Sequence, residues 1–446
     1  MSGSDKQYWI SSGFYALLQR GSEFLFGFGG FYLLVRVLSK EDFGAWVLYI
    51  TLVSIFEMSR AGFLQNGLIK YLVKAEGEAY RNYLNASWWL NGGITLLSAI
   101  LVLSLAQPLA ALWRLPDFVS LCTILAIGLL PFVVFTQTQI VLQARMDFKA
   151  IFRISLLRQG LFFALIVGLY LADQQVGVAQ LAWMQTGVLS LATAYAFYEA
   201  RSHWRPFGKP SVQESKELLH FGKFVLGTNL ASMLNNSLDK FVLGALLSPA
   251  QVASNNVATR LLNFIEVPIN SIATVVFPKS AEKAASEGVA ALKNIFEQSV
   301  GAMLSITLPF FAGLMLMAEP VVLVVAGSEY QDAVPFLRAV LLLALLKPYD
   351  RQTGIFLDAI GKPQINLYTV LFSLAVTFGL SWWFIQSMGF MGAAWALVVS
   401  VALTVVLKQW VLHRYLQTQP LNAFVYAVKF YPQLWKVMRR KLFRKG

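Results

Sequence analysis

The sequence predicts an all-α polytopic membrane protein with twelve transmembrane helices arranged in two six-helix halves. Of its 446 residues, 57% are hydrophobic and only 13% are charged, whereas charged residues make up about 25% of a typical soluble domain. Apolar runs of about 20 residues, the length that crosses a bilayer as a helix, recur along the whole chain. Basic residues collect in alternate connections between these runs. Almost none of the chain is therefore left for a soluble domain.

The twelve predicted spans are apolar runs bounded by polar or turn residues. They cover residues 13–36, 44–69, 85–109, 119–143, 151–172, 178–200, 221–246, 252–278, 294–318, 333–357, 365–385 and 391–413. The stretch from Met1 to Gly13 lacks the pattern of a cleavable signal peptide.

Lys and Arg residues predict the orientation of these spans. With the N-terminus inside, 25 of the 36 Lys and Arg residues fall in the seven cytoplasmic stretches, one of which is 144–158, and only three fall in the outer stretches. Cytoplasmic loops carry such an excess, so both termini are predicted to be cytoplasmic. The net charge of +13 is therefore interpreted as a topology signal and not as a nucleic-acid interface.

The two halves resemble parallel repeats. A shift of 209 residues aligns Leu38-Ser39 with Leu247-Ser248 and Glu57 with Glu266. Six helices return the chain to its starting side, so the halves have the same orientation and are related by an axis along the membrane normal. We expect an N-lobe with helices 1–6 (1–205), a cytoplasmic linker (206–220), a C-lobe with helices 7–12 (221–416) and a cytoplasmic tail (417–446).

The tail has the pattern of a basic amphipathic helix. Apolar residues recur at spacings of three and four, at Phe424, Val428, Tyr431, Trp435, Met438 and Leu442. Lys and Arg residues surround this stripe, which is typical of a helix that lies on the inner leaflet. A disordered basic tail is the alternative.

Residues 228–279 combine two apolar runs with polar side chains at helical spacing. The first run carries a stripe of Asn229, Ser232, Asn236 and Asp239, and the second carries Asn256, Arg260, Asn263, Glu266 and Asn270. Residues three or four apart share one face of a helix. Ionised side chains at membrane depth cost several kcal/mol unless they face a bundle interior or a wet cavity. This hairpin is therefore predicted to line a central cavity.

Arg260 is the best single candidate for binding an anion. It has no acidic residue three or four positions away on its own helix, and the guanidinium fork matches phosphate oxygens. A salt bridge to Asp239 across the hairpin is the alternative. Lys240, which is adjacent to Asp239, must point away from that residue and toward another helix.

Acidic and basic residues also occur together in the first two helices. Arg20 and Glu23 are three residues apart, as are Glu57 and Arg60, and each pair can neutralise itself. Alternatively, the two arginines contribute to a cationic cavity. Glu57 and Glu266 are expected at similar depth, where two facing carboxylates can share or relay a proton.

Helix 10 contains the segment Lys347-Pro-Tyr-Asp-Arg351. Proline removes a backbone hydrogen bond, so a helix broken here is predicted, with Lys347, Asp350 and Arg351 satisfying the break. Broken helices with ionisable residues are frequent in transporters.

Several amides could bond sugar hydroxyls or hold helices together, and we favour the second role for each: Gln65, Asn66, Gln137, Gln139 and Gln143.

No enzyme, metal or cofactor pattern stands out. Cys122 is the only cysteine, and His203, His220 and His413 lie far apart. There is no Gly-rich phosphate loop, zinc spacing or Ser/His/Asp set with plausible shared placement. We therefore predict no catalytic residue, no metal and no cofactor.

Several short motifs resemble one family. The turn Leu38-Ser-Lys-Glu-Asp-Phe-Gly-Ala-Trp46 is similar to that after helix 1 of the O-antigen-type (Wzx-like) polysaccharide flippases, which belong to the multidrug/oligosaccharidyl-lipid/polysaccharide exporter superfamily. Gly62 to Tyr71, Asp239-Lys240-Phe-Val-Leu-Gly244, Ala258-Thr-Arg260 and Phe277-Pro278 resemble its patterns in helices 2, 7 and 8. Val252-Ala-Ser-Asn255 departs from the Val-Gly-x-Tyr that the family often has there.

The resemblance implies two six-helix lobes in a MATE-like V shape around a cationic cavity. It also implies that a lipid-linked oligosaccharide, usually on undecaprenyl pyrophosphate, is moved from the inner to the outer leaflet of the bacterial cytoplasmic membrane. The expected cationic residues are Arg260, Lys240, Arg20, Arg60, Lys347 and Arg351. Coupling to H⁺ or Na⁺ through Glu23, Glu57, Asp239, Glu266 or Asp350 is left open, as are a polysaccharide polymerase and a chain-length regulator as partners. The alternatives are a cation-coupled multidrug exporter of the same fold and, less favoured, a membrane glycan polymerase or ligase.

Overall fold

The structure is a computed structural model that describes residues 3–60, 64–204, 208–209, 211–287, 292–360 and 362–442. Within these ranges the chain forms α-helices joined by short connections and no β-strand, which confirms the predicted all-α class. The helices are α1 (Gly3–Val37), α2 (Lys40–Arg60), α3 (Asn66–Leu72), α4 (Gly77–Leu112), α5 (Phe118–Ala144), α6 (Phe148–Leu171), α7 (Val178–Glu199), α8 (Val212–Leu246), α9 (Pro249–Asn263), α10 (Glu266–Glu287), α11 (Leu292–Ala326), α12 (Ala333–Val340), α13 (Leu343–Ala359), α14 (Pro363–Met388), α15 (Phe390–Leu416) and α16 (Asn422–Leu442).

The chain forms a multi-pass membrane protein. In the described part, six helices are long and apolar enough to cross a membrane: Gly77–Leu112, Phe118–Ala144, Phe148–Leu171, Leu292–Ala326, Gln364–Met388 and Phe390–Leu416. The other predicted spans correspond to the helices α1, α2, α7 and α8 or to the interrupted helices α9–α10 and α12–α13. The less apolar helices include those that carry the predicted polar and charged site residues.

Two compact units make up the chain. The first contains Met1–Leu234 together with Ser248–Ala253, and the second contains Asn235–Leu247 and Ser254–Gly446. The division falls within α8, which is continuous from Val212 and thus includes residues of the predicted linker 206–220. The short turn before α9 belongs to the first unit, although most of α9 belongs to the second.

The motif after α1 forms the start of α2. The Ser39 hydroxyl accepts a hydrogen bond from the Asp42 backbone N–H at 3.1 Å and donates one to Asp42 Oδ2 at 2.9 Å. A serine in this position satisfies a backbone donor that the first turn of a helix leaves free. Leu38 and Phe43 on either side are buried, so the motif both starts the helix and anchors it.

α5 is the central helix of the first unit, where it packs against α2, α3, α4, α6 and α7. Its sequence is apolar on all sides and half of its most apolar window is buried in protein, as expected for a helix surrounded by others. One buried cluster joins α5 to α3 and α4, and a second joins it to α6 and α7. These contacts position the side chains of α2, α4 and α6 that face α5.

The second unit is organised around α11, α13 and α15, whose buried residues include Phe296, Phe356 and Leu412. Two predicted spans are interrupted here. Span 252–278, predicted as one helix, is divided into α9 and α10 by a turn at residues 264–265. The polar stripe is therefore not on one continuous helix, because the interruption falls between Asn263 and Glu266.

The predicted break at Pro348 is wrong. α13 is continuous from Leu343 to Ala359 with Pro348 inside it, and the interruption lies about two turns earlier, at residues 341–342. There Leu342 N–H donates to Ala339 O at 3.2 Å, and Leu345 N–H donates to Leu342 O at 3.1 Å. This three-residue spacing is that of a tighter turn. The interruption absorbs the change of helix geometry ahead of the proline.

The tail forms helix α16, which has a protein neighbour that the sequence did not reveal. Glu297 of α11 contacts Gln419 and Asn422, and Tyr431 donates to the Ser305 carbonyl further along α11. The contacts advance in the same direction on both helices, so the first turns of α16 run parallel to α11. Phe424 and Val428 of the predicted apolar stripe are exposed. The side chains of the stripe beyond Tyr431 lie outside the described part.

Replacing Glu297 with alanine is expected to release the start of α16. The buried carboxylate accepts hydrogen bonds from the Gln419 N–H at 2.9 Å and the Asn422 amide at 3.0 Å, and hydrogen bonds to a charged group contribute about 1.5–3 kcal/mol. Limited proteolysis of the purified protein should then cleave residues 417–422 faster than in the wild type. Glu319→Ala, an exposed position near the other end of α11, is the control. Equal cleavage of both variants would contradict this role.

Candidate functional site

Two adjoining cavities in the first unit share Glu57, Phe132 and Arg158 in their walls. The larger has a volume of about 670 Å³ and is lined by Glu57, Met58, Leu64, Gln65, Asn91, Phe132, Phe135, Thr136, Gln139, Ile140 and Arg158. The smaller has a volume of about 400 Å³ and is lined by Tyr49, Val53, Glu57, Leu125, Gly128, Leu129, Phe132, Arg158, Gln185, Thr186 and Leu189. The larger volume includes space open to solvent, and about 230 Å³ of it lies within the cavity, close to the lower limit of the roughly 300–1,000 Å³ that ligand pockets usually enclose.

An ion pair lies where the two cavities adjoin. The Arg158 guanidinium of α6 donates to Glu57 Oε1 of α2 at 2.7 Å, and each side chain is 28% exposed. The guanidinium carbon also lies 5.0 Å from the centre of the Phe135 ring and 6.0 Å from that of Phe132. Ionised residues within a membrane protein usually pair with one another, and each charge here is compensated by the other.

This ion pair differs from the pairing expected from sequence. Glu57 was expected to pair with Arg60, three residues away, whereas its carboxylate contacts Arg158 on another helix. The Arg60 side chain lies outside the described part. Arg158 was counted with the cytoplasmic stretch 144–158, yet α6 begins at Phe148 and places Arg158 in its third turn. If the predicted helix had been started at its N-terminal capping residue, Asp147, Arg158 would have been placed within the helix.

Amides line the side of the larger cavity that faces α4 and α5. Asn91 Nδ2 lies 3.3 Å from Gln137 Oε1, and Gln137 in turn donates to the Ser87 hydroxyl. Gln65 Nε2 donates to Gln143 Oε1 at 2.8 Å. Gln137 and Gln143 therefore connect helices, whereas Gln65 and Gln139 lie on the cavity wall. Asn91 was not identified from the sequence, where it is one of two asparagines in an apolar run.

Glu23 and Arg20 do not form the expected pair in the structure. Glu23 accepts a hydrogen bond from Gln19 Nε2 at 3.1 Å, and Gln19 also contacts the Ser155 hydroxyl of α6 at 3.2 Å. Arg20 is exposed. The three-residue spacing allowed the pair, but a neighbouring glutamine and α6 provide the contacts instead.

The charged residues of α13 pair with neighbouring helices of the second unit. Lys347 contacts Glu266 at the start of α10, and Asp350 Oδ1 lies 2.7 Å from Lys408 Nζ of α15. Arg351 is exposed. All three residues were expected to satisfy a local break at Pro348. Instead, Lys347 connects α13 to α10 and Asp350 connects α13 to α15. Glu57 and Glu266 each have a cationic partner in their own unit, and a proton shared between the two carboxylates stays a prediction.

Asp239 has a neutral hydrogen-bond partner on α9. Asn255 Nδ2 donates to Asp239 Oδ2 at 2.8 Å, and both side chains are buried. The next residue, Ser254, donates to the Asp332 carboxylate at 2.8 Å. Asn255 belongs to the segment that departs from the family pattern, and this departure places an amide where it can bind the carboxylate of Asp239.

The other predicted polar residues are incompletely buried. Lys240 and Arg260 are half-buried on α8 and α9. Asn236, Asn263 and Asn270 are exposed, and the remaining members of the stripes are half-buried: Asn229, Ser232 and Asn256. Asn229 and Ser232 belong to the first unit, and the others belong to the second. Partial exposure is compatible with a wet surface, as predicted for the hairpin.

Comparisons with known proteins identify the family and the fold. A family described as "Polysaccharide biosynthesis protein" matches residues 33–335. The succinoglycan biosynthesis transport protein ExoT of Rhizobium meliloti is 25% identical over 388 residues, which cover 86% of this chain and 75% of ExoT.

Two solved structures share the fold. An inward-facing MATE family multidrug resistance transporter of the MOP superfamily has a TM-score of 0.73 at 16% identity, covering 94% of this chain and 99% of the transporter. The lipid II flippase MurJ in an inward closed conformation has a TM-score of 0.73 at 14% identity, covering 95% of this chain and 92% of MurJ. The resemblance seen in the motif Leu38–Trp46 is thus confirmed: this chain belongs to the polysaccharide biosynthesis protein family.

Proposed function

We propose that this protein is a flippase for lipid-linked oligosaccharides. It moves undecaprenyl-pyrophosphate-linked glycan repeat units from the inner to the outer leaflet of the cytoplasmic membrane, for O-antigen or another surface polysaccharide. The observation that carries the proposal is the family match over residues 33–335. A transport protein for succinoglycan biosynthesis among its relatives and a fold shared with a lipid II flippase support it.

The proposal extends to the architecture that the sequence predicts. Twelve spans form two six-helix lobes of parallel topology in a V shape around a central cavity. The protein lies in a bacterial inner membrane, with both termini on its cytoplasmic side. Alternating access through rocking of the lobes carries the head group across, while the polyprenyl chain stays in lipid. One chain provides both lobes, so a monomer suffices. A polysaccharide polymerase and a chain-length regulator are the partners expected of such a pathway.

Cationic residues on the spans would neutralise the pyrophosphate. Arg260 and Lys240 are half-buried and Arg20 is exposed, so these three side chains can be reached by a ligand. Arg60 and Arg351 join them in this proposal, whereas Lys347 is engaged with Glu266 and would have to exchange that partner. A guanidinium fork binds phosphate oxygens more specifically than an ammonium group does, so Arg260 is the first residue to test.

The membrane potential would assist outward transfer of an anionic head group. Negative inside, it contributes about 2.3 kcal/mol per charge for each 100 mV. Coupling to H⁺ or Na⁺ through an acidic residue remains part of the proposal for Glu23, Glu57, Asp239, Glu266 and Asp350. Among them Asp239 is buried beside a neutral amide, whereas Glu57, Glu266 and Asp350 have cationic partners. No cofactor and no catalytic residue is required.

A cation-coupled multidrug exporter is the second candidate, because a MATE transporter matches the fold as well as MurJ does. Deletion of the gene separates the two. A flippase requires that lipid-linked repeat units accumulate on the inner leaflet and that surface polysaccharide is lost, without a change in drug resistance. Drug sensitivity with normal polysaccharide would overturn the proposal in favour of the exporter. Loss of polymerisation with repeat units already on the outer leaflet would indicate the polymerase or ligase alternative.

Arg260→Ala is expected to lower surface polysaccharide at least about tenfold in the complemented deletion strain, since a charged hydrogen bond to phosphate contributes roughly 1.5–3 kcal/mol. Arg260→Lys should restore part of it, because lysine keeps the charge and loses the fork. Protein levels are matched by immunoblot. Arg81→Ala, which removes only an exposed 3.8 Å pair with Glu78, is the control. Normal polysaccharide in both Arg260 variants would remove this residue from the mechanism.

A further inference from the structure

The larger cavity of the first unit has hydrogen-bonding capacity that the protein does not use. Asn91 is fully buried and lines the cavity. Its Nδ2 lies 3.4 Å from Val133 O, 3.4 Å from Thr136 Oγ1 and 3.3 Å from Gln137 Oε1, and these three acceptors determine which way the amide points. Its Oδ1 has no hydrogen-bond partner among the described residues. An unsatisfied buried acceptor costs about 1–3 kcal/mol, so this position favours a ligand with a donor.

A second amide supplies both a donor and an acceptor on the same wall. Gln139 lies on α5 beside Thr136, lines the cavity and is half-buried. Its side chain forms no hydrogen bond within the part of the chain that the structure describes. Gln65 adds a further amide to the lining, although its Nε2 already donates to Gln143. Polar groups at a few points of a largely apolar cavity are typical of small-molecule sites, where they orient the ligand.

Two aromatic rings of α5 also line the cavity. Phe132 and Phe135 have ring centres 6.3 Å apart and planes that differ by 20°. The Arg158 guanidinium, already paired with Glu57, lies near both rings. A sugar ring presents C–H groups on its faces and hydroxyl groups around its edge, so it suits a cavity whose lining combines aromatic rings with amides. Because the two charges compensate each other, the lining favours a sugar without a charge of its own.

We propose that this cavity is a subsite for one uncharged sugar ring of the transported glycan. Asn91 Oδ1 accepts a hydrogen bond from a hydroxyl or N-acetyl N–H group, Gln139 bonds a neighbouring oxygen, and Phe135 packs against the ring face. The inference rests on the proposed function, because it takes the sugar from the lipid-linked substrate. It adds a glycan-binding role within the first unit to the pyrophosphate-binding role of the cationic residues.

A cysteine on the cavity wall can report occupancy. We suggest the full chain with Cys122→Ser and Met58→Cys, reconstituted in phosphatidylethanolamine/phosphatidylglycerol nanodiscs and alkylated with N-ethylmaleimide. Met58 lines the cavity and is exposed, and it is not one of the proposed polar contacts. The probes are undecaprenyl pyrophosphate bearing N-acetylglucosamine, the same lipid bearing glucuronic acid, and undecaprenyl pyrophosphate without sugar. Gln107→Cys, an exposed position on α4, is the reporter control.

The N-acetylglucosamine lipid is expected to slow alkylation at position 58 about tenfold when present at ten times its dissociation constant. The sugar-free lipid should leave the rate unchanged, and the glucuronic acid lipid should protect less. Gln139→Leu should reduce the protection at a given probe concentration, whereas Gln107→Leu should not. Gln139→Leu also keeps the test valid if Asn91→Leu fails to fold, since the Gln139 side chain forms no hydrogen bond within the described residues.

The outcomes separate the subsite from the proposed function. Equal protection by sugar-free lipid would overturn the subsite and indicate a lipid-binding or conformational effect. Absence of protection in nanodiscs, with transport of the same sugar lipid retained in proteoliposomes, would overturn the subsite while leaving the flippase function intact. Absence of transport by folded protein would count against the flippase function itself. Equal protection by the glucuronic acid lipid would overturn the preference for an uncharged sugar.

Discussion

Gly44→Ala is expected to lower the amount of folded protein sharply. Gly44 is buried in α2, and a Cβ added there would overlap the carbonyl oxygen of Pro249 and lie 2.9 Å from its Cα. Overpacking of a buried position typically costs about 1–3 kcal/mol. Here the obstacle is backbone that cannot move aside as a side chain would, so an effect at the upper end is expected. Thermal unfolding followed by size-exclusion chromatography measures it.

Gly92→Ala is the matched control for this substitution. Gly92 lies in α4 with no atom within 4 Å of an added Cβ, and alanine is about 1 kcal/mol more favourable than glycine in a helix. The control should therefore be neutral or slightly stabilising, whereas Gly44→Ala should be destabilising. Equal melting temperatures for the two variants would show that the close approach to Pro249 is not needed. The prediction also gives a physical reason for the glycine in the motif Leu38–Trp46.

Removing either member of the Glu57–Arg158 pair is expected to destabilise the protein, and removing both is expected to restore part of the loss. Glu57→Ala or Arg158→Ala leaves one charge in the membrane-spanning part without its 2.7 Å partner. Fully buried pairs lose about 3–5 kcal/mol in this way; at 28% exposure we expect about 1–3 kcal/mol. The double variant leaves no unpaired charge, so its free energy of unfolding should exceed the additive value.

A second pair on α6 provides the control for this cycle. Arg153 and Glu199 are 2.9 Å apart, with side chains 44% and 14% exposed, so the guanidinium of this pair is more exposed than that of Arg158. Exposed pairs contribute about 0–1 kcal/mol, so Arg153→Ala should have a small effect and its double variant with Glu199→Ala should be nearly additive. Unfolding in mixed detergent measures all six variants. Additivity at Glu57 and Arg158 would mean that neither charge depends on the other.

Much of the fold could be predicted because apolar helices show their length in the sequence. The spans 85–109, 119–143, 151–172, 294–318, 365–385 and 391–413 correspond to helices that are long and apolar enough to cross a membrane. Interruptions were harder to predict. The turn at 264–265 has no proline or glycine at the break, and the interruption at 341–342 lies before Pro348, within a leucine-rich run that does not mark it.

The candidate site was predicted only in part for a related reason. Periodicity identified the charged and polar residues of α2, α8, α9 and α13, but it describes one helix at a time. Glu57 was singled out from the sequence, whereas its partner Arg158 lies 101 residues away and was counted with a basic loop. Asn91 had no distinguishing pattern of its own. Its importance comes from a cavity whose walls are built by α2, α4, α5 and α6.

The sequence by itself determined that this is an all-α membrane protein of the polysaccharide biosynthesis family, and it identified the helices that carry charge. These properties depend on composition, helical spacing and short local motifs. Only the tertiary structure decided that Glu57 pairs with Arg158, Glu266 with Lys347 and Asp350 with Lys408. It also determined that Gly44 lies against Pro249. The physical reason is that helical spacing specifies which face a side chain occupies, while packing specifies which helix that face meets.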